Sequence, residues 1–208
     1  MADRVALTFW RHGLTVANER QLYNGWGDVP LSPEGKRAIQ RMHHSLEEPE
    51  LLFSSDLSRC LDTARLLYPD MPIESVPELR EINFGDWEGH GYDALKNVPS
   101  YQKWLDAPFT ARPDGGETFP EFTDRVQRGV DVIVGRINER NVNEAAIVTH
   151  GGVLRYLLTS FAPEKRPFFD WTIPNNGGYR LEWTREGLRR RQRCMSLQAV
   201  LTTEKQRG

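Results

Sequence analysis

The sequence has few of the features that mark secreted, membrane or nucleic-acid-binding proteins. It contains two cysteines in 208 residues, Cys60 and Cys194, which are too few and too far apart for a disulfide framework or a zinc site. The formal net charge of −2 gives no electrostatic reason to expect nucleic acid or an anionic membrane as a partner. No apolar run approaches the length of a membrane span, and the first residues show no signal-peptide pattern. We therefore expect reduced thiols and a cytoplasmic protein that binds neither nucleic acid nor membrane.

The chain does contain two apolar segments that each end in a histidine followed by glycine. Residues 5–10 lead into Arg11-His12-Gly13, and residues 145–149 lead into His150-Gly151-Gly152. Short runs rich in β-branched and aromatic side chains, stopped by glycine, are typical of buried strands. Because open α/β sheets collect ligands at the carboxyl ends of their strands, we expect both imidazoles at one edge of one sheet.

The rest of the chain alternates between strand-like and helix-like segments. This alternation predicts an α/β fold, with a mainly parallel central sheet and helices on both faces in a three-layer α/β/α sandwich. Residues 1–200 are predicted to form a single domain that carries an inserted segment of loops and short helices at about 78–118. Residues 201–208 have no apolar pattern and are expected to be a frayed tail.

Two further segments carry sharper local predictions. Thr118 and Glu121 have the spacing of a capping box, which predicts the start of a long helix. Residues 179–183 and 188–197 are predicted to be two late strands, paired through a turn at residues 185–187.

A third strand-like segment, residues 51–53, leads into a predicted helix through Ser54-Ser55-Asp56-Leu57-Ser58. Serine and aspartate in this run are helix-capping residue types. Arg59 would then lie in the first turn of the helix, where a cation opposes the helix dipole. An arginine at this position is locally unfavourable unless an anionic group lies in front of the helix, so it indicates that such a group binds there.

The predicted strand ends bring four cationic or ionisable groups together: Arg11, His12, Arg59 and His150. Two guanidinium groups and two imidazoles on a slightly acidic protein predict a pocket for a dianion. Phosphate is the favoured ligand, because the planar guanidinium group of arginine can hydrogen-bond two phosphate oxygens at once. Thr15 and Asn18 are short polar side chains that can add hydrogen bonds to an anion beside His12.

The irregular segment 78–89 holds several carboxylates between apolar residues and glycines. A carboxyl group held against Phe84 and Trp87 would have its pKa raised by desolvation, as a general acid requires. Glu81 and Glu88 are both candidates for this role. An acidic surface loop without a catalytic function is the alternative.

Taken together and in this order, the motifs resemble the histidine phosphatase superfamily and its phosphoglycerate mutase-like fold. The resemblance runs from Phe9 to about Arg155. The segments that carry it are Arg11-His12-Gly13 with Thr15 and Asn18, Gly25-Trp26 with Asp28, Ser54-Ser55-Asp56-Leu57-Ser58-Arg59, Glu78-Leu79 with Glu81, Phe84-Gly85, Trp87-Glu88-Gly89, and His150-Gly151-Gly152.

This resemblance implies a role for each of the candidate residues. His12 would be the nucleophile that becomes phosphorylated, and Glu81 would act as general acid and base. The residues implied to hold the phosphoryl oxygens are Arg11, Arg59 and His150. Those implied to contact phosphate or substrate are Thr15, Asn18, Gly151 and Glu117. The resemblance implies no cofactor and no metal. Leu14 departs from the family pattern, which usually has a polar residue at that position.

Within the family, the resemblance favours a phosphatase over a mutase. Mutases typically follow the second histidine with Gly-Asn-Ser, whereas this chain has Gly151-Gly152-Val153. The overall layout is similar to alpha-ribazole phosphatases and broad-specificity phosphatases. We therefore predict a phosphomonoesterase that acts on a small phosphorylated metabolite. The alternatives are a cofactor-dependent phosphoglycerate mutase and a non-catalytic phospho-ligand binding module, and a homodimer is one open option for the assembly.

Overall fold

The described part of the chain, residues 3–43 and 45–200 of a computed structural model, contains a six-stranded sheet with helices packed on both faces. The strands are β1 (Arg4–Arg11), β2 (Leu51–Ser54), β3 (Ile73–Ser75), β4 (Glu144–Thr149), β5 (Gly178–Thr184) and β6 (Ser196–Val200). Their spatial order is β3-β2-β4-β1-β5-β6, in which the first four strands are parallel and the last two are antiparallel to their neighbours. The predicted α/β fold with a mainly parallel sheet is confirmed.

The helices of the described residues surround this sheet and the loops at its edge. The α-helices are α1 (Val16–Glu19), α2 (Pro33–His43), α3 (Ser58–Leu67), α4 (Tyr92–Leu95), α5 (Pro99–Asp106), α6 (Phe119–Arg140), α7 (Gly151–Phe161) and α8 (Arg185–Arg189). Three short 3-10 helices lie at Pro77–Leu79, Gly85–Trp87 and Phe168–Asp170.

The central strands are buried on both sides, with successive side chains in different cores. On β1, Leu7 and Phe9 pack in the core formed with α6 and α7, whereas Trp10 packs with Ile39 of α2 and Ala64 of α3. Strands enclosed on both faces read as continuous apolar runs, which is why β1 and β4 were recognisable in the sequence. Their burial fixes the positions of the residues that follow each strand.

Helix α6 begins and ends as its local sequence predicts. The side chain of Thr118 accepts a hydrogen bond from the backbone N–H of Glu121, and the carboxylate of Glu121 accepts one from the N–H of Thr118 at 2.7 Å. The predicted capping box is therefore confirmed. The helix stops at Asn141, whose φ of 51° places it in the left-handed region that asparagine tolerates.

The predicted hairpin near the C-terminus is wrong in its second half. Thr184 caps a new helix by accepting a hydrogen bond from the N–H of Gly187 at 3.0 Å, so residues 185–189 form α8 instead of a tight turn. Leu188 is buried there as part of the core. The second strand begins only at Ser196, where it pairs with Glu182 of β5. Local capping by threonine therefore overrides the apolar pattern of residues 188–197.

The segment 78–118 contains the 3-10 helix Gly85–Trp87 together with α4 and α5, and it has a small aromatic core of its own. Trp87, Leu95 and Tyr101 are buried together there.

Cys60 and Cys194 are both free and buried. Among residues 3–43 and 45–200, no helix is long and apolar enough to cross a membrane. The predicted tail 201–208 lies outside the described residues.

Candidate active site

The register of three parallel strands brings the two histidines together. Arg11 at the end of β1 pairs with Thr149 at the end of β4, so His12 and His150 follow at the same level of the sheet. The N–H of His12 donates to the carbonyl of Thr149 at 2.9 Å, and the two imidazole centroids are 5.2 Å apart. Strand β2, on the other side of β4, brings Ser55 and the following helix α3 with Arg59 to the same edge.

The imidazole of His12 is buried and held in one orientation. Its Nδ1 lies 2.7 Å from the carbonyl oxygen of Gly13, which can only accept a hydrogen bond, so Nδ1 carries the proton and Nε2 has the free electron pair. Burial, followed by the charges of Arg59 and Arg11, lowers the pKa of His12 well below its usual 6.5, and the bond to Gly13 opposes this only partly. The ring is therefore neutral and nucleophilic at neutral pH.

The imidazole of His150 is buried between a cation and a hydroxyl group. The Nε of Arg59 donates to its Nδ1 at 3.3 Å, which leaves Nε2 to donate to the Oγ of Ser55 at 2.9 Å. Burial first, and then the charges of Arg59 and other cations, lower the pKa of His150 well below 6.5. Both histidines of the site are thus held in the neutral form.

These lowered pKa values predict how stability depends on pH. The unfolded chain takes up protons on both imidazoles below pH 6.5, whereas the folded chain does not, so the free energy of unfolding decreases as the pH falls below 6.5. Each histidine contributes at most about 1.4 kcal/mol per pH unit. We expect urea unfolding in phosphate-free buffer to show this loss, with a flatter slope in His12→Gln and His150→Gln. The slope should persist in His90→Gln, which changes an exposed histidine. Equal slopes in all variants would contradict the assignment.

Arg59 is completely buried and is positioned by the loop that contains Gly25 and Gly27. Its Nη1 donates to the carbonyl of Gly27 at 2.8 Å and its Nη2 to that of Gly25 at 2.5 Å. A Cβ at Gly25 would lie 2.1 Å from the carbonyl oxygen of Ile82, so only glycine fits in this loop. The carboxylate of Glu88 accepts from the N–H groups of residues 26, 27 and 84, which occupies it as a structural group.

The start of α3 differs from the sequence prediction. The N-cap residue is Leu57, which has no capping side chain. Asp28, from the distant loop, instead accepts the N–H of Ser58 at 2.9 Å. The carboxylate in front of the helix thus comes from another segment of the chain, beside the loop carbonyls that hold Arg59.

Arg11 reaches the same pocket from the end of β1. Its Nη1 donates to the carbonyl of Ile173 at 2.6 Å, and its Nε is buried without a hydrogen-bond partner among the described residues. Burial lowers the pKa of Arg11, and the nearby carboxylate of Glu81 opposes that shift. An unpaired buried donor on a cation is costly unless an anion occupies the site in use. Gly151, the first residue of α7, packs next to this guanidinium group and adds the free N–H of a helix start.

Glu81 lies at the N-terminus of α7, across from the arginines. Its Oε2 accepts a hydrogen bond from the N–H of Gly152 at 2.9 Å, and its Oε1 accepts from the N–H of Ile82 at 3.0 Å. A Cβ on Gly152 would lie only 2.3 Å from Oε1, so glycine at this position makes room for the carboxyl group. The charge of Glu81 acts on both Arg11 and Arg59, which places the carboxyl group beside the cationic pocket.

The remaining candidate residues have defined places near the pocket. Thr15 and Asn18 form a capping box around α1, in which the side-chain oxygen of Asn18 accepts and its amide N–H groups stay available as donors. The carboxylate of Glu117 pairs with Arg125 and accepts from the N–H of Asn83, so it is committed to protein contacts. The carbonyl of Leu14 accepts from the N–H of Ser32 at 2.8 Å.

A cavity of about 220 Å³ opens directly beside Glu81 and Gly152. Its walls are mainly aromatic, and Arg155 is the cation that lines it. The aromatic lining residues are Tyr23, Phe84, Trp104, Phe109, Phe119, Phe122, Phe168 and Phe169. Such a cavity accommodates an apolar or aromatic group attached to an anion in the cationic pocket. Among the described residues, no group of three or more His, Cys, Asp or Glu side chains is arranged to hold a metal ion.

Comparison with known proteins agrees with this arrangement. A family model described as histidine phosphatase superfamily (branch 1) matches residues 7–194. The chain belongs to the histidine phosphatase superfamily. An adenosylcobalamin/alpha-ribazole phosphatase of Escherichia coli (strain K12) is 36% identical over 155 residues, covering 71% of this chain and 74% of that protein. A broad-specificity phosphatase of Saccharomyces cerevisiae is 28% identical over 164 residues, covering 74% of this chain and 69% of that protein.

Solved structures of histidine phosphatase relatives share the fold over most of the chain. The alpha-ribazole phosphatase from Shigella flexneri superposes with a TM-score of 0.75 at 29% identity. The superposition covers 85% of this chain and 90% of that chain.

Sequence reasoning did not anticipate two parts of this histidine phosphatase site. The aromatic cavity combines residues from separate segments of the chain. The adjacent pair Phe168-Phe169, half-buried and exposed respectively, is a local sequence sign of an aromatic surface at that point. Ser55 was read only as a helix-capping type, whereas its hydroxyl accepts from His150. A hydroxyl directly after a buried strand at this sheet edge is the signal that could have found it.

Proposed function

We propose that this protein is a phosphomonoesterase that hydrolyses a small phosphorylated metabolite through a phosphohistidine on His12. The observation that carries the proposal is the orientation of that ring. Its Nδ1 is tied to a carbonyl, its Nε2 is free, and it is neutral while lying among Arg11, Arg59 and His150. A neutral nitrogen nucleophile facing cationic groups is suited to in-line attack on phosphorus.

In the first transfer, the Nε2–P bond forms and the ester P–O bond breaks. Glu81, in its protonated form, gives its proton to the oxygen of the leaving group. Arg11 and Arg59 bind the equatorial phosphoryl oxygens and lower the barrier electrostatically, together with the N–H of Gly151 and the side-chain amide of Asn18. Thr15 acts through Asn18, because its N–H and its hydroxyl both donate to the side-chain oxygen of Asn18. His150 shares this pocket and is held by Ser55 and Arg59.

In the second transfer, water attacks the phosphohistidine. Glu81, now a carboxylate, takes a proton from the water as the new P–O bond forms and the Nε2–P bond breaks. Inorganic phosphate and a neutral His12 are the products. The same carboxyl group therefore acts first as an acid and then as a base, and each cycle restores the starting protonation state.

The aromatic cavity favours hydrolysis of esters with an apolar or aromatic leaving group. A mutase must hold a second anionic group near the phosphohistidine, and Arg155 is the lining cation that could serve this purpose. The aromatic lining side chains are mostly phenyl rings, and the polar groups that Tyr23 and Trp104 add are uncharged, so they match a second anionic group poorly. The names of the E. coli and yeast relatives also support a phosphatase. A cytoplasmic location and a homodimer remain parts of this proposal.

A panel of phosphate esters tests the proposed activity. We expect phosphate release in the presence of EDTA, with higher kcat/KM for aryl phosphates and an alpha-ribazole phosphate than for glycerol phosphates or phosphoglycerates. The physical reason is burial of the leaving group in the aromatic cavity, which is worth about 25 cal/mol per Å² of apolar surface. Phosphoglycerate isomerisation stimulated by a bisphosphorylated cofactor would favour a mutase instead. Phosphate binding without turnover of any ester would favour a binding module.

A further inference from the structure

We propose that Arg125 and Glu117 form a clamp that positions the carboxyl group of Glu81 for proton transfer to the leaving group. We call this pair the Arg125 clamp. The inference rests on the proposed function, because it assigns a positioning role to residues that act through Glu81. Their side-chain hydrogen bonds go to each other and to the loop that carries Glu81.

The first observation is that Arg125 binds the backbone of the loop that carries Glu81. Its Nη1 donates to the carbonyl of Glu78 at 2.7 Å and to that of Arg80 at 2.9 Å, and its Nη2 donates to the carbonyl of Glu81 itself at 3.1 Å. The guanidinium group is contributed by α6, a helix of 22 residues packed into the core. The loop is thereby attached to a rigid element.

The second observation is the buried ion pair that completes the clamp. The Nε and Nη2 of Arg125 both donate to the carboxylate of Glu117, with Nη2 at 2.5 Å from Oε1. The two side chains are only 11% and 13% exposed. Together with the three carbonyls, this pairing uses all five N–H donors of the guanidinium group. A lysine, with three donors at one point, cannot make this set of bonds.

The clamp also holds the loop on the far side of Glu81. Glu117 accepts a hydrogen bond from the N–H of Asn83 at 2.9 Å, and its own N–H donates to the carbonyl of Asn83 at 3.0 Å. Residues 78–83 are therefore fixed at both ends by one ion pair. The side chain of Glu81 can reach Gly152 only if this loop backbone stays in place.

Trp26 covers the clamp on its outer side. Its indole Nε1 donates to the carbonyl of Glu81 at 2.9 Å, and the guanidinium carbon of Arg125 lies 5.5 Å from the centre of an indole ring. Trp26 belongs to the same loop as the glycines that hold Arg59. The loop of residues 25–27 therefore holds the backbone of Glu81 through Trp26, and it holds the guanidinium group of Arg59 through the carbonyls of Gly25 and Gly27.

The test uses the acidity of the leaving group. A general acid matters greatly when the leaving oxygen is basic and little when it is already a stable anion, so a displaced Glu81 impairs phenyl phosphate far more than p-nitrophenyl phosphate. For Arg125→Lys we expect kcat/KM to fall about ten- to a hundredfold with phenyl phosphate and less than about threefold with p-nitrophenyl phosphate. Arg128→Lys, which changes an exposed arginine on the same helix, should leave both values unchanged.

The outcomes separate this inference from the proposed function. Glu81→Gln should show the same dependence on the leaving group, and if it does not, the proposed role of Glu81 is wrong. If Glu81→Gln shows it but Arg125→Lys reduces both substrates equally or neither, the clamp is merely structural and the inference is overturned. If Arg125→Lys does not fold, the same comparison is made with Glu117→Gln, whose amide oxygen can still accept from the N–H of Asn83. The falls in kcat/KM with phenyl phosphate and with p-nitrophenyl phosphate then decide in the same way.

Discussion

Replacement of His12 by alanine is expected to reduce phosphate release by about 10⁴-fold or more, because it removes the atom that accepts the phosphoryl group. The cationic groups around the ring stay in place in this variant, so phosphate should still bind. The measurement is kcat with an aryl phosphate in EDTA, combined with rapid-quench trapping of the enzyme after reaction with ³²P-labelled substrate. Wild-type protein should carry an acid-labile label on His12.

His90→Ala is the matched control for this experiment. His90 is exposed and its Nδ1 is within hydrogen-bond distance of the carbonyl of Glu88, so the variant removes an imidazole outside the pocket. It should keep both the activity and the label. Trapping of the label on another side chain, or a His12→Ala variant within tenfold of the wild type, would refute the covalent mechanism.

Replacement of Arg59 by methionine is expected to lower kcat/KM by about 100- to 1000-fold. Loss of one preorganised donor to a developing oxyanion typically costs about 3 to 4 kcal/mol of transition-state stabilisation. Arg59 is completely buried and touches His150, so water cannot replace its charge efficiently. Inhibition by inorganic phosphate should weaken in parallel, because the same cation binds the product.

The control for Arg59→Met is Arg65→Met on the same helix. The side chain of Arg65 is 61% exposed and pairs with Asp62 on the surface of α3, so its loss should change kcat/KM by less than about twofold. Arg59→Met also leaves the carbonyls of Gly25 and Gly27 without their donors, so a lower melting temperature is expected and activity must be measured on folded protein. An unchanged kcat/KM in a folded variant would contradict the role of Arg59.

The framework of the site was predictable because its signals are local. Both His-Gly junctions follow strands whose apolar runs are visible in the sequence, and the parallel pairing of β1 with β4 then places the junctions side by side. The capping box of α6 is equally local. The late hairpin was predicted wrongly although the deciding signal is also local: the threonine cap at Thr184 competes there with an apolar pattern that is typical of a strand.

The parts of the site that depend on distant contacts could not be predicted. The family resemblance implies that Glu117 contacts phosphate or substrate, and nothing in the sequence pointed to the partners that its carboxylate has in the structure, which are Arg125 eight residues further along the chain and the N–H of Asn83. The aromatic cavity combines rings from α6, from residue 109 and from residues 168–169. Such combinations depend on how loops fold over the sheet, and no periodicity in the sequence encodes that.

The position of His12 directly after a central strand has a consequence for how this protein can diversify. β1 and β4 are the two middle strands of the described sheet, with two further strands outside each of them. The proposed reacting groups therefore follow central strands, which are the kind of element that opens only in global unfolding. Part of the wall of the aromatic cavity comes from exposed residues outside the sheet, such as Phe109 and Phe169, where substitution costs less stability than in the core. New leaving-group preferences can therefore arise by changing those loops while the phosphoryl-transfer chemistry is inherited intact.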